Sequence, residues 1–337
     1  MAGTTLVIGG TRNVGPDLVA ALLARGDRVT VLNRGVTLSD LPPEVERLYA
    51  DRSDVRAIAA ALAGRAFDAV IDTTLYTGDD AATLTRTLRG HVGRYVFWST
   101  GQVYLVRTGV RAPFAESDYP GPIMPEPPAT ATADHDNWIY GVDKRAAEDA
   151  LRTAFDRDAF PYVSLRMPMI NSARDPYWRL AAYVHRILDG HPILVPDDQD
   201  RLPLRHVFGG DVVTASLRAS ESGTPAGTCL NISQDETLTL EGMLRRTADV
   251  LGRPFRTIAL PRDVLVEKGL LPNCSPWSGL WMSAVDNARS KDILGMRYTP
   301  VAACLPALVA AALRVPLTLV PGNDRRREEI ALADAQE

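Results

Sequence analysis

Apolar and polar positions alternate in blocks along the first hundred residues. Thr5-Leu6-Val7-Ile8 is an apolar run of strand length, followed by a glycine turn. Residues 17–24 repeat apolar positions at helical spacing and stop at Gly26. Residues 28–32 form a second strand-like run, 47–49 a weak third, 69–72 a fourth and 95–98 a fifth. Between them, Ser53 is expected to cap a helix running to Ala63, and 79–88 has helical spacing. Strands alternating with helices of about ten residues imply parallel βαβ units covered on both faces.

The rhythm breaks over 107–137, which holds prolines at 113, 120, 122, 125, 127 and 128. A loop of this length is either a solvated surface excursion or a substrate lid. Beyond it, spacing predicts a helix over 140–155 and a strand over 162–166. A helix over 177–188, a short strand over 193–195, a helix over 211–219 and a strand over 229–232 follow. Helices over 240–251 and 286–294 each end at a glycine. The longest apolar run, 301–313, is too short to span a bilayer and contains Pro306. It is expected to be a packed helix with Thr299 as N-cap and Pro300 in the first turn. The charged tail after Pro321 is expected to fray.

These elements predict an α/β fold, a Rossmann-type doubly wound parallel sheet with a smaller, discontinuous C-terminal substrate-binding region. The expected dinucleotide-binding domain is 1–170, with strands returning to the sheet from about 204–232 near His206 and Leu230. Residues 171–203 and 233–320 would form the substrate region, and 321–337 the tail.

Composition narrows the partners. The chain has 337 residues, 46% hydrophobic and 23% charged, which supports a sizeable core and excludes disordered, collagen-like and disulfide-scaffold classes. A net charge of −4 leaves no basic excess for a phosphate backbone, so no nucleic-acid partner is expected. Cys229, Cys274 and Cys304 are far apart, without metal or disulfide spacing, which fits a reducing cytoplasm. The N-terminus lacks the order of a signal peptide, and no membrane association is expected. The five histidines show no metal-ligand pairing, and Asp197-Asp198…Asp200 lacks the remaining ligands of a metal loop, so no metal site is expected.

Candidate chemistry starts at Gly9-Gly10-Thr11-Arg12-Asn13-Val14-Gly15, between the first strand and the first helix. A helix N-terminus presents N–H groups and a positive dipole end to a pyrophosphate, and glycine allows close backbone approach. The second strand ends in Asn33-Arg34, where an acidic residue would hold the ribose 2′-hydroxyl of NAD. Arginine instead pairs with a 2′-phosphate, and Arg12 could approach the same group, which favours NADP over NAD. Asp51-Arg52, after the third strand, places a carboxylate where it could accept from the adenine amino group.

Tyr140 and Lys144 are four apart, hence on one helical face. A nearby ammonium would lower the tyrosine pKa toward that of a general acid/base. The strand before them, Tyr95-Val96-Phe97-Trp98, emerges into Ser99-Thr100-Gly101-Gln102-Val103-Tyr104. Its carboxyl end is where an open α/β sheet places a ligand.

With these segments the chain resembles the extended and atypical short-chain dehydrogenase/reductases, the NAD(P)-dependent epimerase/dehydratase superfamily, over roughly 4–315. Glu148, one turn after Lys144, and Leu165-Arg166-Met167-Pro168, Arg205-His206-Val207…Asp211-Val212, Leu230-Asn231-Ile232 and Ser290-Lys291…Leu294-Gly295 add to the resemblance. It implies that Tyr140 moves a proton on a substrate hydroxyl or carbonyl. It further implies that Lys144 bonds the nicotinamide ribose and poises Tyr140, and that Thr100, or its neighbour Ser99, bonds the reacting oxygen. Thr73, Thr74, Ser99 and Pro168 would complete the cofactor site. Tyr76, Gln102, His135, Trp138 and Asn171 would line the substrate pocket. Trp277 and Trp281 stand as wall or core. The family often pairs as homodimers through the helix that carries Tyr140.

Three positions depart from the family pattern. Arg12 replaces the middle glycine of the turn, Asp72-Thr73-Thr74 ends the fourth strand, and Leu204 stands where nucleotide-sugar epimerases carry an arginine, with Arg205 one position on. A one-residue offset on a strand points to the opposite face. The resemblance thus implies an NADP-dependent oxidoreductase acting on the carbonyl of a small molecule or sugar derivative. An epimerase or dehydratase that recycles NAD(P) internally, and a non-catalytic RNA-associated or regulatory dinucleotide binder, are the alternatives.

Overall fold

The computed structural model describes residues 3–37 and 40–336. Its strands are β1 (Thr4–Ile8), β2 (Arg28–Asn33), β3 (Glu46–Tyr49), β4 (Phe67–Asp72), β5 (Val92–Thr100) and β6 (Tyr162–Met167), then β7 (Ile170–Asn171), β8 (Ile193–Pro196), β9 (Val207–Phe208), β10 (Thr228–Asn231) and β11 (Thr257–Leu260). The helices of the sheet half are α1 (Gly15–Ala24), α2 (Val55–Leu62), α3 (Gly78–Leu88), α4 (Gln102–Leu105) and α5 (Thr132–Asp158). There follow α6 (Arg179–Asp189), α7 (Gly209–Ala219), α8 (Leu240–Leu251), α9 (Arg262–Glu267), α10 (Ala288–Leu294), α11 (Val301–Ala312) and α12 (Arg326–Asp334).

Seven parallel strands form one sheet in the order β10-β6-β5-β4-β1-β2-β3. The order reverses between β1 and β4, and the crevice at that switch point is where such a sheet takes a ligand. Alternate residues of each strand serve opposite faces. Val7, Val31, Ile71, Val96 and Leu165 pack with Leu18 of α1 and Val212 of α7. Leu6, Leu32, Val70, Tyr95 and Phe97 pack with Ile58, Leu84, Ala147 and Leu151 of α2, α3 and α5. Burial on both faces explains why these strands are continuous apolar runs.

The C-terminal half packs Tyr183, Leu244, Trp277 and Leu305 of α6, α8, α11 and the 277 segment around a second core. Strands β8 and β11 form a separate parallel pair. Among the described residues no helix is long and apolar enough to cross a membrane.

Several expectations need correction. The strand at Leu230 does join the large sheet, as β10, but the one after His206, β9, pairs with the short β7 instead. Helix α5 begins at Thr132, so Tyr140 lies two turns inside it rather than at its start. The cap of α2 is Asp54, which accepts from the amides of Arg56 and Ala57, while Ser53 bonds to Asp51. Thr299 does not cap α11: its hydroxyl goes to Asp211, and Glu236 accepts the Val301 amide at 2.9 Å. The tail does not fray, because α12 docks through Arg186–Glu329, an ion pair with side chains 2% and 1% exposed.

The proline-rich segment is exposed over most of its length but anchored to the fold at two aromatic residues. Its Phe114 exchanges backbone bonds with Ala284 and Asp286, each 2.8 Å, and Phe114 and Tyr119 are buried against Val103, Tyr104 and Val285. It forms a fixed wall beside α5.

Candidate active site

A cleft of about 600 Å³ opens at the carboxyl ends of β1, β2, β4 and β5. Its floor is the glycine turn. Gly9 and Gly10 have φ of +95° and +73°, a region that favours glycine. A Cβ on Gly15 would come within 2.5 Å of the Gly10 carbonyl carbon, so only glycine lets α1 start this close to the turn. The Gly10 amide donates to Thr73 Oγ1 at 3.3 Å, and that hydroxyl donates to the Ile8 carbonyl at 3.0 Å. Gly9 to Asn13 line the cleft, whereas Val14 and Gly15 are buried behind it. Asn13 accepts from Ser172 Oγ at 2.5 Å.

At the β2 end, Arg12 and Arg34 are exposed on the rim. Arg12 Nε donates to Thr37 Oγ1 at 3.1 Å. Asn33 accepts from the Gly35 amide at 2.8 Å, which fixes the bend after β2. Asp51 accepts from the Ser53 amide and hydroxyl at 2.9 and 2.8 Å, bonds that hold its carboxyl below the ordinary range.

Arg52 stands apart from the rim arginines. Its Nη2 lies 2.6 and 2.7 Å from the two oxygens of Asp72, which is fully buried and also accepts from Tyr95 Oη at 2.6 Å. Thr74 Oγ1 takes a further bond at 3.3 Å. The charge of Arg52 is thus answered inside the protein. Its Nη1 is buried without a partner, on a residue that lines the cleft. Glycine turn, rim arginines and this orphaned donor together fit a dinucleotide.

At the β5 end, Tyr140 and Lys144 reach the cleft from α5. Lys144 is 3% exposed, donates from Nζ to the Trp98 carbonyl at 2.9 Å and lies 4.7 Å from the Phe97 ring centroid and 4.9 Å from that of Tyr76. Burial pushes its pKa down to about 7. Tyr140 stands beside Thr100, and burial pushes its pKa up to about 12. The expected lowering of the tyrosine pKa by the ammonium is therefore overturned for the protein as it stands. Lys144 Nζ is 5.8 Å from the Tyr140 ring centroid and engaged by Trp98, and desolvation of the phenol dominates.

Ser99 and Thr100, adjacent in sequence, part company. Thr100 Oγ1 accepts from the Gln102 amide at 3.2 Å and stands beside Tyr140, while the Ser99 hydroxyl is given to Glu148 at 2.5 Å. Tyr76, half exposed, lies 6.3 Å from Tyr140 between ring centroids and lines the cleft. The other expected pocket residues are held elsewhere. Gln102 donates to Asn137 at 2.8 Å, the Trp138 indole to the Met124 carbonyl at 3.1 Å, and His135 Nδ1 lies 3.0 Å from the Pro127 carbonyl. Asn171 Nδ2 lies 3.0 Å from Nδ1 of His206, whose burial pushes its pKa down to about 3 and keeps it neutral. Asn171 faces a separate small cavity between α6, α8 and α11. Pro168 is buried, and Met167 and Ile170 supply that wall of the cleft. Trp277 is core, 1% exposed, whereas Trp281 donates to Asp134 at 2.8 Å near the start of α5.

Sequence reading missed Asp72 as the partner of Arg52, although a carboxylate ending the apolar run Ala69-Val70-Ile71 was a signal.

Comparison with known proteins decides the family. The model of the NAD dependent epimerase/dehydratase family matches residues 5–233. The chain belongs to this family. Among curated proteins, this family member is 28% identical over 272 residues to 2'-dehydrokanamycin reductase of Streptomyces kanamyceticus, covering 78% of this chain and 71% of that one. It is 23% identical over 263 residues to the chloroplast stem-loop binding protein of 41 kDa b of Arabidopsis thaliana, covering 74% of this chain and 63% of the other. UDP-glucose 4-epimerase from Thermotoga maritima, solved with UDP-glucose, shares the fold with a TM-score of 0.70 at 19% identity, over 91% of this chain and 98% of that one. The epimerase/dehydratase family member described here is an NAD(P)-dependent enzyme of the extended short-chain dehydrogenase/reductase type.

Proposed function

We propose that this enzyme is an NADP-dependent reductase that converts a ring ketone of a small molecule or sugar derivative to the alcohol. The observation that carries the reading is Tyr140, a phenol held protonated by burial, beside Thr100 and in the same cleft as Lys144 and the glycine turn. Reduction of a carbonyl needs a proton donor at neutral pH, and a phenol with a pKa pushed up to about 12 stays protonated there.

When bound, NADPH supplies the hydride to the carbonyl carbon. Thr100 hydrogen-bonds the carbonyl oxygen and orients it toward Tyr140. Tyr140 donates its proton to that oxygen as the C–O bond gains negative charge. Lys144 would bond the ribose of the bound cofactor, and its amine, titrating near neutrality, would restore the proton of Tyr140. Gly9 to Asn13 would hold the pyrophosphate, Arg12 and Arg34 the 2′-phosphate, and Asp51 and Arg52 the adenosine half.

Two observations support a substrate without a nucleotide diphosphate. Leu204 is 2% exposed, in the core, and Arg205 is turned toward Ser233 and Gln234, its Nε donating to Ser233 Oγ and the Gln234 carbonyl at 3.3 and 3.1 Å. The relative named as a reductase acts on a dehydro-aminoglycoside, which makes keto amino sugars the first substrates to screen. The chain carries no basic excess that would favour RNA.

The test titrates cofactor-stripped protein with NADPH and NADH side by side, with Arg34→Ala in parallel. An NADPH preference that falls about tenfold in the variant is expected, one phosphate contact being worth on the order of 1–3 kcal/mol. Turnover should consume NADPH stoichiometrically with product. Cofactor that stays bound without net oxidation would mean an internally recycling epimerase and overturn the reading.

A further inference from the structure

Helix α5 meets the carboxyl end of β5 at three successive turns. Tyr140 stands beside Thr100, Lys144 donates to the Trp98 carbonyl and Glu148 accepts from Ser99. The three helix residues are four apart on one face, and the three strand residues are consecutive. The first two contacts belong to the reacting pair; the third is a tie between Glu148, one turn further along α5, and Ser99 at the border of the cleft.

That third tie is anchored far more widely than the others. Ser99 pairs with Arg166 across β5 and β6, and Arg166 with Asn231 across β6 and β10. The three residues form one row across neighbouring strands. Glu148 faces this row. It takes Arg166 Nε at 3.0 and 3.1 Å and Nη2 at 2.5 Å, besides the Ser99 hydroxyl. Arg166 Nη1 donates to Tyr104 Oη at 2.7 Å, and Tyr104 passes a bond of 2.8 Å to Asn231. Asn231 donates to the Phe114 carbonyl at 2.9 Å, and its amide to Glu116 at 2.7 Å, so the row also grips the proline-rich wall. Glu148 and Arg166 side chains are each 3% exposed, so these bonds act in a dry interior where geometry is strictly held.

We propose that Glu148 is a positioning residue, which through Ser99 and Arg166 fixes the height of α5 along β5 and so keeps Tyr140 beside Thr100 and Lys144 on the Trp98 carbonyl. The proposal rests on the role given to Tyr140 and Lys144 above. A shift of α5 by a fraction of a turn would separate both pairs without altering the glycine turn or the rim arginines, which sit on other elements. Glu148 therefore acts on kcat and leaves the cofactor contacts of the glycine turn and the rim arginines alone.

The test compares Ser99→Ala, Glu148→Gln and the double variant. Ser99→Ala removes one donor but leaves the Glu148–Arg166 pair intact, so it stays informative if Glu148→Gln folds poorly. Each single variant should lose roughly tenfold in kcat with KM within about twofold, and the double variant should lose no more than the worse single one. Hydrogen exchange over 138–146, which needs no substrate, should rise in both. Unchanged protection there, or losses that multiply in the double variant, overturns the positioning role. Wild-type protein that reduces no ketone, with protection still lost in the variants, overturns the reductase reading alone.

Discussion

On the rim beside β2, Arg12 and Arg34 stand in water, while further along the same cleft Lys144 is 3% exposed beneath two aromatic rings. Both ends present cations to one ligand, but in opposite ways. A rim guanidinium keeps its hydration, costs folding almost nothing and acts through a screened field. The buried ammonium has lost its hydration and keeps only the Trp98 carbonyl, so its charge is expensive and its pKa falls to about 7. Arg52 is a third case, buried but answered by Asp72. On the proposed function the difference separates recognition from chemistry: exposed charges would select the cofactor, and dry ones would move protons.

The largest break of this contrast is Lys144→Met. Loss of the amine is expected to lower kcat by about 10²–10⁴. The same substitution should stabilise the empty protein on the order of a few kcal/mol at neutral pH, because it removes a desolvated charge. The sign follows from the pKa, about 7 folded against an ordinary 10.5. Below pH 7 both folded and unfolded chains carry the proton, and the full burial cost applies. Between the two values only the unfolded chain binds it, so wild-type stability rises with pH. Urea denaturation should find the variant's advantage full below pH 7 and gone above pH 10.5. An advantage that does not change with pH would show that Lys144 is not buried as a charge.

Arg52→Gln probes the intermediate case. It strands the Asp72 carboxylate, which is 0% exposed, and should cost about 3–5 kcal/mol in denaturant unfolding. Arg34→Ala should cost less than about 0.5 kcal/mol by the same measurement. Equal costs would erase the distinction between answered and solvated arginines.

The sheet and the glycine turn were legible because both depend on local signals, apolar runs of strand length and residues that permit positive φ. Tyr140 and Lys144 were legible because helical spacing puts them on one face. What escaped depends on partners distant in sequence. Residues 132–139 carry few apolar positions, so the first two turns of α5 look like an extension of the proline-rich loop. Arg326 and Glu329 look like solvated tail charges until Asp189 and Arg186 meet them. Ser99 and Thr100 are equivalent in sequence, and only the packing of α5 on β5 gives one hydroxyl to Glu148 and sets the other beside Tyr140. The pKa of Tyr140 was read with the wrong sign because spacing reports the nearby amine and not the desolvation around the phenol.

The smallest expected effect sharpens the comparison most directly. Salt acts on the rim and leaves the interior nearly untouched. At 0.15 M ionic strength the Debye length is about 8 Å, and at 1 M about 3 Å. Contacts from Arg12 and Arg34 to a 2′-phosphate weaken over that range, so the ratio of NADH to NADPH dissociation constants should fall by a few-fold. The alkaline pH limb set by Lys144 should stay within about 0.3 pH unit over the same range, because its surroundings exclude ions. The measurement is a pair of fluorescence titrations and a pH–rate profile at each salt concentration. A cofactor preference indifferent to salt would move the 2′-phosphate contact from the rim to buried donors such as the Arg52 Nη1, which is buried and unpartnered.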